Sequence, residues 1–584
     1  MDSYLGLFHF QPIRNEIQND FITSHSRQTV SESFHFFSPQ KTSQSATSTY
    51  FCFIDGVINN LNELKAGCNH SDHDYIYQSY KTQGNSFFAK LSGAWICIIY
   101  DKIQKELIIA RDHLGQKPLF YTQTDSLFAF SYDLKQLVDL PTIKATISPL
   151  SLQKFFVYSS VPAPLTLYKE INALPPATVL HLNEEKRKTK FSKYWNYQIS
   201  RESNQVQIKK LNEEFVEIFR NSIKQQLSKA SKPSTAISGG IDSTATLAFA
   251  HNEFPNDFLT FSINFEEDSF DEETYIRIAR NKFKTKHESF VLTAQALKEN
   301  LRDIKKALPI AMGDASFIPC YFLNQLVKEK TDLMLTGDGA DELFCGYDPF
   351  HATSTANVLY HILPNLFWQA ARRLSHRLPS NFKNISFDFK IKQFLNGMDQ
   401  ERKYWPALWM SSLRQDDFKD VFLSNSRNEE LLSEMDELFI ESEGHLLSFI
   451  QLYFLKIYFP NVVQMKAERA SRYHGVNSFS PFLDLEMINF SAQVPIQFKY
   501  NQEITKYFMK ESLKGLIPQE IIHRKKKGFG SPIAHWLKNE TIALDVKKNL
   551  HFMNNDFINT AKAKHKKGIE NHHQFLWNCF VLEK

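Results

Sequence analysis

The first 200 residues alternate short apolar runs with polar turn residues. This pattern predicts strands at 50–58 (YFCFIDGVI), 93–101 (GAWICIIYD), 105–112 (KELIIARD) and 126–133 (SLFAFSYD). Residues 117–131 (KPLFYTQTDSLFAFS) predict a β-hairpin, and the polar stretch from Ser38 to Tyr50 predicts a loop. A strand-rich first domain is therefore expected over residues 1–200.

The pattern changes after a polar linker at 199–210 (ISRESNQVQIKK). Apolar residues then recur at helical spacing, at positions 206, 211, 215, 218, 219, 223 and 227. Strands are predicted at 233–238, 258–265, 287–293 and 332–337, and they alternate with helices at 242–252, 271–283 and near 316–329. Such alternation predicts a parallel, doubly wound α/β sheet. After about residue 350 the pattern is mostly helical, so the second domain is expected over residues 201–584.

Composition narrows the classes of protein that fit this chain. The 584 residues are 42% hydrophobic, which is enough for two full cores, and a net charge of +4 is too small for an electrostatic nucleic-acid footprint. Six cysteines are scattered without a CxxC pair, which excludes a disulfide framework or thiolate metal site and fits a reducing compartment. Neither a signal-peptide pattern nor an apolar run of about 18 residues is present. We therefore expect a cytoplasmic protein without nucleic-acid or membrane partners.

The stretch SGGIDS, from Ser238 to Ser243, follows a predicted strand and opens a predicted helix. Its glycines let backbone N–H groups approach an anion, and the helix N-terminus adds the positive end of a dipole. No GK[ST] follows, so this is not the common P-loop. A carboxylate beside phosphates repels them unless a cation intervenes, so Asp242 predicts Mg²⁺. The alternative is a glycine turn in which Asp242 is only an acid at a helix N-terminus.

Two further stretches carry candidate chemistry. LTGDGADELFCGY (335–347) leaves another predicted strand, and the carboxyl ends of parallel strands share one edge of a sheet. Asp341 is thus predicted to be a second Mg²⁺ ligand and Asp338 to face the substrate; the alternative is an Asp-Gly turn with a capping acid. RKKKGFGSP (524–532) is either a solvated basic run or a shaped loop that aims one lysine at a leaving pyrophosphate.

Together these motifs resemble the glutamine-dependent asparagine synthetase family over nearly the whole chain. GAWICIIYDKIQKELIIARDHLGQKPLFY is similar to its glutaminase half, and VVQMKAERASRYHGVNSFSPFLD is similar to its synthetase half. The resemblance implies an α+β N-terminal-nucleophile-hydrolase-like domain with stacked antiparallel sheets between helices. An α/β ATP-pyrophosphatase-type domain with a parallel doubly wound sheet and a helical C-terminal part would follow it. Such enzymes adenylate a carboxylate with Mg·ATP, release pyrophosphate and let an amine attack the acyl-adenylate.

The resemblance also implies roles for individual residues. Ser238, Gly239, Gly240, Asp242 and Ser243 would form the pyrophosphate loop, and Ile237, Ile263, Thr336 and Gly337 would line the ATP site. Asp242 and Asp341 would hold Mg²⁺, Asp338 would face the substrate, and Lys526 matches the catalytic lysine.

The N-terminal half departs from this family. Asp2 stands where the family has a nucleophilic cysteine with a free α-amine directly after Met1. Asp55 to Val57 (DGV) replaces the glutamine-binding Asn-Gly-Glu, whereas Asp72 is kept, and the family's arginine-bearing strands have no clear match between Ser31 and Phe51. We therefore expect a glutaminase-like fold without glutaminase activity.

The synthetase half departs less. Glu468 stands where an aspartate is usual, and Asn477 and Phe479 where a glutamate and an arginine are usual. These changes put aspartate in doubt as the substrate. β-Lactam synthetases and lasso-peptide cyclases have also lost the glutaminase cysteine, and there the amine comes from the substrate itself.

The sequence thus predicts an ATP-dependent, AMP-forming amide ligase that uses ATP and Mg²⁺. It would join a small-molecule or peptide carboxylate to an amine or ammonia without hydrolysing glutamine. One alternative is a lasso-type macrolactam (isopeptide) cyclase acting on a precursor peptide, and another is an ammonia-dependent asparagine synthetase. A tRNA-modifying ATP pyrophosphatase is disfavoured by the weak charge and the lack of a cysteine pair, and a silent scaffold by the intact SGGIDS motif.

Overall fold

The computed structural model describes residues 4–10, 26–31, 33–38, 44–200, 208–254, 258–375, 377–384, 386–424, 426–528, 530–545 and 552–583. The chain forms two compact units. Unit 1 comprises Met1–Ser151 and Pro162–Gln198, and unit 2 comprises Leu152–Val161 and Ile199–Lys584.

The described strands, in chain order, are β1 (Leu5–His9), β2 (Ser26–Thr29), β3 (Phe34–Ser38), β4 (Gln44–Ala46), β5 (Tyr50–Ile58), β6 (Gly93–Asp101), β7 (Glu106–Arg111), β8 (Phe120–Gln123), β9 (Leu127–Ser131), β10 (Asn172–Ala173), β11 (Thr178–Asn183), β12 (Lys188–Lys193), β13 (Pro233–Ala236), β14 (Leu259–Phe265), β15 (Lys286–Leu292), β16 (Leu333–Leu335) and β17 (Ser478–Phe479).

The described α-helices are α1 (Leu61–Leu64), α2 (Asp72–Gln83), α3 (Leu134–Val138), α4 (Pro149–Tyr158), α5 (Ile208–Leu227), α6 (Ile241–Glu253), α7 (Glu273–Phe283), α8 (Ala294–Ala307), α9 (Phe317–Val327), α10 (Ala340–Leu343), α11 (Asp348–Ile362), α12 (Asn365–Ser375), α13 (Phe387–Leu395), α14 (Trp405–Met410), α15 (Phe418–Val421), α16 (Asn428–Leu431), α17 (Ser433–Glu441), α18 (Leu446–Tyr453), α19 (Gln464–His474), α20 (Leu485–Gln493), α21 (Ile496–Lys499), α22 (Tyr507–Ser512), α23 (Gln519–Ile522), α24 (Ile533–Lys538), α25 (Asn555–Lys566) and α26 (His573–Leu582).

Unit 1 contains two antiparallel sheets of six strands. Their orders are β10-β8-β9-β1-β3-β2 and β12-β11-β7-β6-β5-β4. Alternate residues of β5 serve two cores, as the period of a strand requires. Phe51 and Phe53 join a cluster that includes Phe34 and Phe36 of the first sheet, whereas Tyr50 and Cys52 join a cluster with residues of α2. The stacked antiparallel sheets agree with the predicted class of this half.

The strands predicted for unit 1 are present, and β8 and β9 form the predicted hairpin. The loop predicted from Ser38 to Tyr50 is partly wrong, because Gln44–Ala46 forms a strand that pairs with Phe51–Phe53. β4 is the last strand of its sheet. A polar sequence can form a strand there because only one of its edges is paired and little apolar burial is required.

Unit 2 is organised around a parallel sheet with the order β15-β14-β13-β16-β17. The predicted α/β alternation is confirmed, since α6 follows β13, α7 follows β14 and α9 precedes β16. Because β13 and β16 are parallel neighbours, the loops that leave their carboxyl ends lie at one edge of the sheet. The part of the chain after residue 350 is mostly helical, as the sequence predicts.

One continuous helical segment in the described chain, Leu446–His474, is long and apolar enough to cross a membrane by length and composition. It joins α18 and α19 through a π-helical stretch, Phe454–Val463, which contains Pro460. Within the most apolar window of this segment, 61% is buried inside the unit. The segment therefore contributes to the core of unit 2. No apolar run of about 18 residues is expected from the sequence, and this segment is nevertheless long and apolar enough because only a few polar residues interrupt an otherwise apolar helix.

Candidate active site

The loop between β13 and α6 has the geometry of an anion-binding turn. Ser238 donates its backbone N–H to Ser243 Oγ over 3.1 Å, and the two hydroxyls lie 3.2 Å apart. Gly239 has φ of +63°, and a Cβ there would lie 2.6 Å from Cβ of Tyr275. Only glycine fits this position, because it needs both a left-handed backbone and the missing side chain.

Arg524 holds this loop from the C-terminal part of unit 2. Its guanidinium donates to the carbonyl of Gly239 over 2.6 Å, pairs with Glu272, and lies 4.4 Å from the ring centroid of Tyr275. The arginine side chain is only 6% exposed. With its carbonyls engaged in this way, the loop keeps its shape.

Four charged side chains form a cluster at the carboxyl edge of the sheet. Lys506 Nζ donates to the two carboxylate oxygens of Asp242 over 2.5 and 2.6 Å, and it lies 2.6 Å from Oδ1 of Asp341. Lys526 Nζ lies 2.5 Å from the same Asp341 oxygen and 4.3 Å from the ring centroid of Tyr347. Asp242 lies in the first turn of α6 and Asp341 in the first turn of α10, so adjacent strands bring the two carboxylates together.

Burial and the two lysines set the protonation of this cluster. Burial raises the pKa of Asp242, against the opposing effect of Lys506. Burial also disfavours the charge of Asp341, but Lys506 and Lys526 outweigh it and hold the pKa of that carboxyl below its ordinary value. The same carboxylates outweigh desolvation of Lys506 and raise its pKa to about 12. Two carboxylates and two ammonium groups thus form a charged network.

Asp338 belongs to a second, neighbouring group. It accepts a hydrogen bond of 3.0 Å from the hydroxyl of Thr336, and burial raises its pKa while Lys466 opposes that shift. Lys466 itself donates to Asp314 over 2.9 Å and to Ser316 over 2.7 Å. Its charge is therefore held by Asp314 and also acts on Asp338.

A cavity of about 940 Å³ joins these groups. It is lined by all the predicted site residues except Gly239, namely Ile237, Ser238, Gly240, Asp242, Ser243, Ile263, Thr336, Gly337, Asp338, Asp341 and Lys526. Gly239 lies in the same turn and packs against α7. The structure thus brings the predicted residues together in one place, and their individual roles stay predictions.

Comparison with known proteins identifies the family to which this chain is similar. Residues 214–583 match the family model described as asparagine synthase, and residues 17–195 match a glutamine amidotransferase domain. The chain belongs to the asparagine synthase family. Members are ATP-dependent carbon–nitrogen ligases that form AMP, and this protein is therefore an enzyme of that type.

The relatives that match along most of this asparagine synthase family member are distant from it in sequence. "Asparagine synthetase [glutamine-hydrolyzing] 1" of Bacillus subtilis (strain 168) is 23% identical over 84% of this chain and 77% of its own length. "Asparagine synthetase [glutamine-hydrolyzing] 3" of the same organism is 24% identical over 84% and 78%. "Amidase chry2" of Gibberella zeae (strain ATCC MYA-4620 / CBS 123657 / FGSC 9075 / NRRL 31084 / PH-1) is 22% identical over 80% and 73%.

The carboxylate pair fits the magnesium ion that Mg·ATP enzymes of this family imply. Asp242 and Asp341 already converge on one cationic group, the Lys506 ammonium. A Cβ on Gly346 would lie 1.8 Å from Oδ1 of Asp341, so the glycine leaves room for that carboxylate. Within the described chain no group of three or more His, Cys, Asp or Glu is placed to hold a metal. Two carboxylates suit Mg²⁺, which takes its remaining ligands from water and substrate phosphates.

Sequence reasoning missed three site residues in this family member. Lys506, Lys466 and Arg524 all line the cavity, but none was assigned a role from the sequence. Lys466 lies in MKAERAS, a stretch that resembles the family. That resemblance is the signal in the sequence that could identify Lys466 as a site residue. Lys506 lies in NQEITKYFMK, which contains no glycine to mark a turn.

The predicted departures of the glutaminase half fall partly outside the described residues. Asp2 lies outside them. Val57 is 54% exposed in β5, and Gly56 beside it has φ of +101°. Asp72, the residue kept from the family pattern, forms an ion pair of 2.6 Å with Lys65 and is half exposed.

Proposed function

We propose that this family member joins a carboxylate to an amine or to free ammonia through an acyl-adenylate, without hydrolysing glutamine. A carboxylate oxygen attacks the α-phosphorus of ATP, and the bond from that phosphorus to the pyrophosphate oxygen breaks. The amine nitrogen then attacks the acyl carbon, loses a proton, and AMP leaves. The observation that carries the proposal is the convergence of Asp242, Asp341, Lys506 and Lys526 beside the SGGIDS turn in one cavity.

Each residue has a part in this scheme. The hydroxyls of Ser238 and Ser243 and the start of α6 bind the phosphates. Asp242 and Asp341 would hold Mg²⁺, which would neutralise phosphate charge when bound. Lys526 steadies the leaving pyrophosphate, and Asp338 faces the substrate. Ile237 and Ile263 pack along the nucleotide.

The experiment is exchange of labelled pyrophosphate into ATP, measured against a panel of carboxylates, with AMP as the product. We expect exchange that depends on Mg²⁺ and on one class of carboxylate. Asp242→Asn is the inactive reference, because Asn keeps the size of the side chain but removes its charge. Formation of ADP and phosphate instead of AMP, or full exchange by Asp242→Asn, would contradict the proposal.

The absence of glutaminase activity is supported by the residue at the glutamine-binding position. Where the family has a glutamine-binding acid, Val57 offers no charge to a glutamine. We expect no glutamate release from glutamine, with or without ATP, and release above a heat-denatured control would contradict this part.

Two narrower functions remain within this proposal. A lasso-type macrolactam cyclase acting on a precursor peptide is favoured by Asn477 and Phe479, which stand where the family has a glutamate and an arginine and put aspartate in doubt as the substrate. An ammonia-dependent asparagine synthetase is favoured by the names of the Bacillus relatives. The carboxylate panel separates them, because only the second would use aspartate with ammonium ions.

A further inference from the structure

The cavity has a second wall that the nucleotide chemistry does not use. This wall consists of residues from α13, α14 and α26, and it includes the aromatic side chains of Phe389, Phe394, Trp409 and Trp577. Phe394 lies nearly parallel to Trp409, with ring centroids 5.9 Å apart and an interplanar angle of 15°. Phe389 lies 5.8 Å from the ring of His573. We call Phe389, Phe394 and Trp409 the aromatic wall.

Helix α13 is unusual because none of its nine residues is buried, although its sequence, FDFKIKQFL, is half apolar. Phe389, Ile391 and Phe394 are half-buried and line the cavity. Some apolar side chains inside a cavity are left uncovered by the fold. Such side chains gain the free energy of burial only when a ligand covers them. This side of the cavity is therefore suited to an apolar ligand group.

The charge on this wall is already neutralised. Lys390 of α13 forms an ion pair of 2.7 Å with Asp348, and both residues line the cavity. A small, highly charged acid such as aspartate is recognised by charged and hydrogen-bonding partners, which an aromatic surface does not supply.

We infer that the carboxylate activated by this enzyme belongs to a large molecule of peptide size, with an aromatic or aliphatic group that packs on the aromatic wall. The inference rests on the proposed function and adds the substrate class to it. The reacting carboxyl lies at the Asp338 and Lys526 end of the cavity, and the apolar group lies along α13.

The test compares three carboxylates in pyrophosphate exchange: L-aspartate, acetyl-Gly-Gly-Asp and acetyl-Leu-Phe-Asp. The two peptides share both carboxyl groups and differ only in apolar side chains. Burial of one aromatic side chain is worth roughly tenfold or more in binding. We expect kcat/KM for acetyl-Leu-Phe-Asp to exceed that for acetyl-Gly-Gly-Asp by at least about tenfold, with aspartate the poorest of the three.

A pair of variants on one helix tests the wall itself. Phe389→Ala should raise KM for acetyl-Leu-Phe-Asp about tenfold while leaving KM for ATP unchanged. Phe387→Ala is the matched control, because Phe387 is 79% exposed and does not line the cavity. A thermal melt of both variants shows whether the fold is intact.

The outcomes separate this inference from the proposed function. Equal exchange with both peptides, exchange with aspartate alone, exchange with none of the three, or equal effects of the two variants would overturn the substrate class. Binding of Mg·ATP is measured in parallel by calorimetry with a non-hydrolysable analogue. A protein that does not bind it refutes the proposed function, and the substrate class with it.

Discussion

We expect Lys506→Met to lower the free energy of unfolding of the enzyme without nucleotide. Methionine keeps the apolar stem but removes the ammonium that lies 2.5 Å from Asp242 Oδ1 and 2.6 Å from Asp341 Oδ1. The Lys506 side chain is 5% exposed, so little water reaches its ammonium in the folded protein. Removing one partner from a buried ion pair costs about 3–5 kcal/mol.

The lower end of that range, about 3 kcal/mol, applies here because Lys526 still pairs with Asp341. In a unit of this size such a loss lowers Tm by about 4 °C. The loss of stability in Lys506→Met, called the deficit below, should also depend on pH. Burial already raises the pKa of Asp242, and a carboxyl with a raised pKa destabilises the fold while it is charged. The deficit should therefore be larger at about pH 8 than at about pH 5.

The assay is scanning calorimetry without Mg²⁺ or nucleotide at both pH values. Lys514→Met is the matched control, because Lys514 pairs with Glu511 over 2.7 Å but is 50% exposed. Such a surface pair contributes about 0–1 kcal/mol. If Lys506→Met melts within about 1 °C of the control at both pH values, the charge cluster does not stabilise the site as described.

Three further predictions concern catalysis and the glutaminase half. Asp242→Asn and Asp341→Asn should each lower AMP formation by at least about 100-fold, the scale of losing one electrostatic stabiliser; near-normal turnover in either would refute the Mg²⁺ assignment. Lys526→Ala should abolish product formation while the protein still folds, and Lys525→Ala should not; a more damaging Lys525 variant would mean that the wrong lysine was chosen. Asp2→Cys alone should not produce glutamate from glutamine, because the pocket would still lack the charged residue that binds glutamine. An intact-mass measurement shows whether Met1 remains.

Much of the fold follows from sequence because the signals are local. The longer strands β5, β6 and β14 are marked by apolar runs of their own, and the SGGIDS turn carries glycines, hydroxyls and an acid within six residues. The ends of two predicted parallel strands were enough to bring Asp242 and Asp341 to one edge. The two-residue strand β17 could not be predicted, because it is defined by hydrogen bonds such as Met334 N–H to the Asn477 carbonyl at 2.8 Å.

The counter-charges of the site depend on contacts between distant parts of the chain. Lys506 gains its role only through packing against residues 264 positions earlier, and no local pattern announces such a contact. The same holds for Lys466, which is 152 residues from its partner Asp314. Sequence reasoning therefore found the acids and the loop but not the lysines that neutralise them, apart from Lys526.

The reach of Arg524 back to the SGGIDS turn has a consequence for how the protein is made. Its carbonyl partners, Ser238 and Gly239, precede it by 286 and 285 residues. At about 5–20 residues per second, a ribosome needs roughly a quarter of a minute to a minute to cover that distance. Throughout this interval the nascent turn has no arginine on its carbonyls and its acid has no lysine. The turn and its acid therefore gain these long-range contacts only late in synthesis.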